Sequence, residues 1–165
     1  MKGFCNGDEI GIGRAGDSNL KGTINMARYE LTRTGKVSVT FDGEPIAEVF
    51  SAGKPRNLTD TRHARWWECE IYYTATQKWV AQIRYRVGVL LSRELPIDHV
   101  IIAGDADALV AGLNELNWES WVTGWPRDGR FDDRNLQLMD RLKTEWQQLV
   151  MRVIDATKPT LAEEV

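Results

Sequence analysis

"RHARWWECEIYYTATQKWVAQIRYRV", residues 62 to 87, holds three of the chain's seven tryptophans and decides how the rest is read. In an extended strand successive side chains point to opposite faces, so Trp67, Cys69, Ile71 and Tyr73 share one face and Trp66, Glu68, Glu70 and Tyr72 the other. After "TATQK" the alternation resumes: Trp79, Ala81, Ile83, Tyr85 and Val87 oppose Val80, Gln82, Arg84 and Arg86, and it continues to Leu91. A one-residue slip would turn every apolar side chain outward, which restricts the hairpin to cross-strand pairs whose numbers sum to an even value. A sum of 152 sets Cys69 opposite Ile83 and Trp67 opposite Tyr85. On the other face it sets Glu68 against Arg84, an expected ion pair, and Trp66 against Arg86, where a guanidinium can lie on an indole ring.

Upstream, "ARYELTRTGKVSVTFDGEPIAEVFSAG" reads as further antiparallel strands. "RTGK" supplies one glycine turn, and "DG" at 42–43 signals a second. "SAGKPRNLTDTRHA" is a connection by composition. Downstream of Pro96 comes a short apolar run, then an acidic helix start in which Asp105 is a candidate N-cap and Asp107 suits the first turn. Leu109, Leu113 and Leu116 carry that helix. The last helix is marked by Met139, Leu142, Trp146, Leu149 and Val153 at spacings of three and four, and ends near Thr157. The pattern predicts a single α+β domain over 1–165: a glycine-rich segment 1–22, mainly strands over 23–93, mainly helices over 98–157 and a tail 158–165. Its architecture is an antiparallel meander sheet of about five strands with the two C-terminal helices packed on one face.

Bulk properties narrow the classes of function. No run of 18 apolar residues exists to span a bilayer, and the start, "MKGFCNGDEIGIG", lacks the apolar centre of a signal peptide, so a cytoplasmic protein is expected. The formal net charge of −3 conceals a basic middle: residues 54–93 carry eight Lys/Arg against three Asp/Glu, and residues 94–165 carry seven against fourteen. Such poles can steer charged partners.

Several chemistries can be weighed residue by residue. "GIGRAG" at 11–16 satisfies G-x-G-x-x-G, but the polar "FCNGDEI" before it does not suit the buried parallel strand a dinucleotide fold requires. Cys5, His63, Cys69 and His99 are the only Cys and His residues and have no structural-zinc spacing; Cys69 reads as a small buried hydrophobe. "VIIAGDADALV", residues 100–110, resembles the strand–loop–helix acidic motif of NYN/PIN-like nucleases. That resemblance implies a magnesium- or manganese-dependent nuclease or phosphoesterase using Asp105 and Asp107; helix capping is the simpler role for both.

Two features speak for binding. Arg62, His63, Arg65, Trp66 and Arg86 form a candidate basic aromatic strip, extended by Lys54, Arg56 and Arg93, able to stack bases and track phosphates as a single-stranded nucleic-acid module does. Glu68 and Glu70 interrupt that strip, and the sequence pI of about 5.5 is low for such a module. "NWESWVTGWPRDGRFDDRN" places Trp125 in a loop with Arg127, Arg130 and Phe131, the Trp/Arg mix of interface anchors, while Trp118 and Trp121 are expected beneath the sheet. The sequence reading therefore expects a non-catalytic interaction or regulatory protein, with no cofactor or metal. Its expected partner is a protein, a nucleic-acid-handling enzyme among the candidates, engaged through Arg62, His63, Arg65, Trp66, Arg86, Trp125, Arg127, Arg130 and Phe131.

Overall fold

Five antiparallel strands in chain order, β1 (Ala27–Arg33), β2 (Lys36–Phe50), β3 (Arg65–Thr74), β4 (Trp79–Val87) and β5 (Ile97–Ala103), form one meander sheet. Helix α1 (Ala106–Glu115), a 3₁₀ turn at Trp118–Trp121 and helix α2 (Asp133–Thr157) follow and pack on one face. The computed structural model describes residues 26–57, 64–88, 94–123 and 133–158. The glycine-rich string 11–16, Cys5, Arg62, His63, Arg93, Trp125, Arg127, Arg130 and Phe131 lie outside the described residues. No helix among the described residues is long and apolar enough to cross a membrane.

The central hairpin has the register its apolar alternation requires: all nine β3–β4 pairs sum to 152, from Arg65 opposite Val87 to Tyr73 opposite Trp79. Trp67, Cys69, Ile71, Ala81, Ile83 and Tyr85 are fully buried under the helices. Leu109 and Leu113 of α1 and Leu142, Trp146, Leu149 and Val153 of α2 complete that core. Trp67 is its hub, with ring centroids 5.7, 5.3 and 5.5 Å from Tyr85, Trp118 and Trp146. As expected, Trp118 is buried, and Trp121 packs over Tyr85.

The Asp42–Gly43 pair does not turn the chain, contrary to the sequence signal. β2 runs straight through it, and the fifth strand is instead the apolar run Ile97–Ala103. Gly43 is hemmed in on both sides, by Ala27 of β1 and Thr74 of β3, and a Cβ there would stand 2.6 Å from the Tyr73 carbonyl oxygen. The glycine is needed for close strand approach rather than for a turn. The turn between β1 and β2 is the one at Gly35, whose φ of 72° favours glycine.

Where β2 passes from β1 to β3 its register shifts between Pro45 and Ala47, leaving Ile46 as a bulge. The bulge and the sheet's twist curl the meander into a half-barrel. Its first and last strands meet at one end: the Thr34 amide donates to the Asp98 carbonyl at 2.8 Å, and the Asp98 amide to Thr34 Oγ1 at 2.8 Å. The face opposite the helices is thereby concave. It carries a second, smaller core of Leu31, Tyr72 and Val80 with Tyr29, Phe41 and Val100 against it.

Candidate functional site

The even-numbered side chains of β3 and β4 face into the curl. Burial there imposes a desolvation cost on charge that only a partner within reach offsets, and the pairing follows that rule. Arg84 lies opposite Glu68 in register but donates to Glu70, one step along, through Nη1 to Oε1 at 2.9 Å and Nη2 to Oε2 at 3.1 Å. The expected Glu68–Arg84 ion pair is therefore replaced by a diagonal, bidentate one. Tyr72 Oη also donates to Glu70 Oε2, at 2.5 Å, and Arg84 Nη2 to Gln82 Oε1, at 2.7 Å. Burial alone would raise the Glu70 pKa, yet the hydrogen bonds from Tyr72 and Arg84, with the Arg84 charge, hold it below the ordinary carboxylate value. Burial and the same carboxylate push the Tyr72 phenol up.

The strip expected along this face is divided by the fold. Arg65, on an odd position, points to the helix side, where its side chain is only 12% exposed and grips Glu94, 4% exposed, with Nη2 to Oε1 at 2.7 Å. Tyr85 Oη donates to the other Glu94 oxygen at 2.7 Å. Burial works against the Arg65 charge, but Glu94 more than offsets it and raises the pKa. Trp66 and Arg86 do share the concave face as opposite residues. Trp66 Nε1 donates to Glu68 Oε1 at 3.0 Å, and Arg86 turns from the indole to Asp98 of β5, Nη1 to Oδ1 at 3.1 Å. Lys54 sits over the Phe50 ring, 3.2 Å from its centroid. The three described arginines of the central hairpin, Arg65, Arg84 and Arg86, are thus each engaged by a carboxylate.

What the curl brings together instead is aromatic and acidic. Tyr29 stacks on Phe41 at 5.7 Å and tilts against Tyr72 at 4.8 Å. Beside them a cavity of about 310 Å³ is bounded by Tyr29, Tyr72, Glu48, Glu70 and the bulged Pro45–Ile46. Among the described residues no lysine or arginine lines it. Glu48 and Glu70 are direct cross-strand partners. Arg84 compensates Glu70, whereas Glu48 is exposed and has no ion pair among the described residues. Sequence reasoning missed Tyr29, Glu48, Glu70 and Tyr72 as a group because the β2–β3 register crosses a connection and changes sum at the bulge, from 117 at Pro45 opposite Tyr72 to 118 at Glu48 opposite Glu70.

At the start of α1, Asp105 takes the capping role: extended at φ −148°, it accepts the Ala108 amide on Oδ1 at 2.7 Å. Asp107 lies exposed in the first turn. Among the described residues no three His, Cys, Asp or Glu side chains are grouped to hold a metal ion. The Cys69 thiol, buried beneath the helices, is pushed up to about 12 by burial and by the Glu70 charge. No protein-family model, curated protein or solved structure matches this chain, so its own geometry carries the functional argument.

Proposed function

We propose that this chain is a binding module for a protein partner, engaged on the concave face of the half-barrel. The observation that supports the reading is the cavity lined by Tyr29 and Tyr72 and by the carboxylates of Glu70 and Glu48, the second of which has no ion pair among the described residues. An aromatic and acidic recess on a curved sheet suits a protusion of opposite charge from a folded or extended partner. Single-stranded nucleic acid would meet arginines already held by Glu70, Glu94 and Asp98, and in the recess a carboxylate, Glu48, that has no ion pair among the described residues. Trp125, Arg127, Arg130 and Phe131 join the proposed partner surface on the strength of their composition alone.

The test is affinity capture from cells of the source organism with wild type, Tyr29→Ala and Glu48→Arg proteins whose melting curves agree. The proposal expects one discrete protein retained by wild type and lost from both variants. Equal recovery by all three, or a salt-sensitive shift of labelled single-stranded DNA that Glu48→Arg leaves unchanged, would overturn it.

A further inference from the structure

The open edge of β2 points to what the recess holds. From Glu44 to Phe50, β2 pairs only with β3 among the described residues, because β1 begins at Ala27 opposite Gly43. In an antiparallel ladder, residues that bond their partner alternate with residues whose amide and carbonyl turn away. The Ser51 amide donates to the Trp67 carbonyl at 2.9 Å, so Ser51, Val49 and Ala47 face β3, and the backbone groups of Glu48 and Phe50 face outward. The Phe50 carbonyl accepts from Arg152 of α2. Among the described residues, Glu48 is left with an outward amide and carbonyl that no strand pairs, beside a carboxylate in no ion pair.

We infer that this edge takes up an extended segment of the partner carrying a lysine or arginine, whose side chain enters the cavity between Tyr29, Tyr72, Glu48 and Glu70. A residue hydrogen-bonded to both outward groups of Glu48 has its own side chain on the same face as Glu48, the concave one. There an ammonium or guanidinium meets the Glu48 carboxylate directly, with Glu70 one strand further in along the same row and with Tyr29 and Tyr72 offering ring faces to its stem and charge. The same features reject a second copy of this chain. Antiparallel pairing of two such edges about Glu48 would set the two Glu48 carboxylates directly opposite one another, and Pro45 and the Ile46 bulge interrupt a long uniform ladder. The occupant is accordingly a basic strand and not a like one. The inference rests on the proposed partner-binding reading and names the chemistry of the partner.

Amide NMR of the full chain tests it, using an acetylated, amidated decapeptide of alternating lysine and threonine. The expected result is saturable shifts centred on Glu48, Glu70 and Tyr72, with cross-strand contacts from a peptide amide to Glu48. Glu48→Gln weakens binding about fivefold, the scale of one partly exposed ion pair, and Glu48→Arg removes it. A decapeptide of alternating glutamate and threonine leaves the spectrum unchanged. The inference is overturned if the lysine peptide gives no shifts, if the acidic peptide binds as well, or if n-butylammonium alone produces equal shifts at equal concentration. Cross-strand contacts from Glu48 to residues 1–25 in the free protein would overturn it too, by showing the edge already covered. A captured protein lost on Glu48→Arg in the absence of peptide binding would sink this inference and leave the partner-binding reading standing; capture unaffected by Glu48→Arg and Tyr29→Ala would sink both.

Discussion

Two glutamates in this molecule are shifted in opposite directions, and each sets a different dependence of stability on pH. Glu70 is held below its ordinary value, so its ionisation stabilises the fold above the ordinary carboxylate range and that contribution is lost as acid protonates it. Glu145 is raised, chiefly by burial, and Arg141 at 3.7 Å only partly offsets this. Its Oε2 has no hydrogen-bond partner among the described residues, and the backbone at Gly53 comes so close that a Cβ there would lie 2.8 Å from that oxygen. For a carboxylate with a raised folded value, the favourable contribution is complete below the unfolded value of 4.5 and disappears as pH climbs through the folded one. Glu145→Gln is therefore expected to raise the melting temperature at pH 7, with an advantage that shrinks on acidification and vanishes below pH 4.5; a variant that melts lower at pH 7 would show that the carboxylate is engaged. Nothing local marks Glu145 in the sequence, since it sits beside the apolar stripe at Trp146 and its burial comes from a loop nearly a hundred positions upstream. Cys69 was legible, because it alternates with Trp67 and Ile71 on one face.

At the scale of elements, what could be read from the sequence was periodicity within a strand or helix. The β3–β4 register and the α2 stripe are set by apolar faces that repeat over many residues, and both are found as expected. The continuous β2 was not legible, because Asp-Gly is the same dipeptide whether it turns a hairpin or lets two neighbouring strands close around it. The start of α1 allows the two roles of Asp105 to be separated. As a cap it contributes one hydrogen bond to the Ala108 amide, which asparagine can also supply. Asp105→Ala should cost about 0.5–2 kcal/mol and Asp105→Asn a few tenths at most, both independent of added Mg²⁺ or Mn²⁺ in thermal melts. A loss in Asp105→Asn equal to that in Asp105→Ala, appearing only with metal present, would favour the metal-binding reading of this loop.

Over the whole molecule the two faces of the sheet have unequal cores, and that asymmetry predicts how the fold opens. The helix side buries the Trp67 cluster with residues from β3, β4, β5 and both helices. The concave side has a small cluster centred on Leu31, Tyr72 and Val80 to hold β1 and the first half of β2. The Ile46 bulge divides β2 between them, since Ala47 and Val49 beyond it pack towards the larger core. Local opening follows the weaker packing. The β1–β2 arm, Ala27–Gly43, is thus expected to exchange its amide hydrogens through a sub-global opening, at lower free energy than the β3–β4 hairpin. Leu31→Ala, costing about 2–5 kcal/mol as a buried leucine, should load mainly on that arm. Cys69 reports on the other unit, because the thiol lies under the helices and alkylation requires that core to separate. The expected outcome is faster exchange in Ala27–Gly43 for Leu31→Ala with little change in the alkylation rate of Cys69. If exchange and alkylation accelerate by the same factor, the arm and the core unfold as one cooperative unit, and the curl that forms the acidic recess is as durable as the core beneath it.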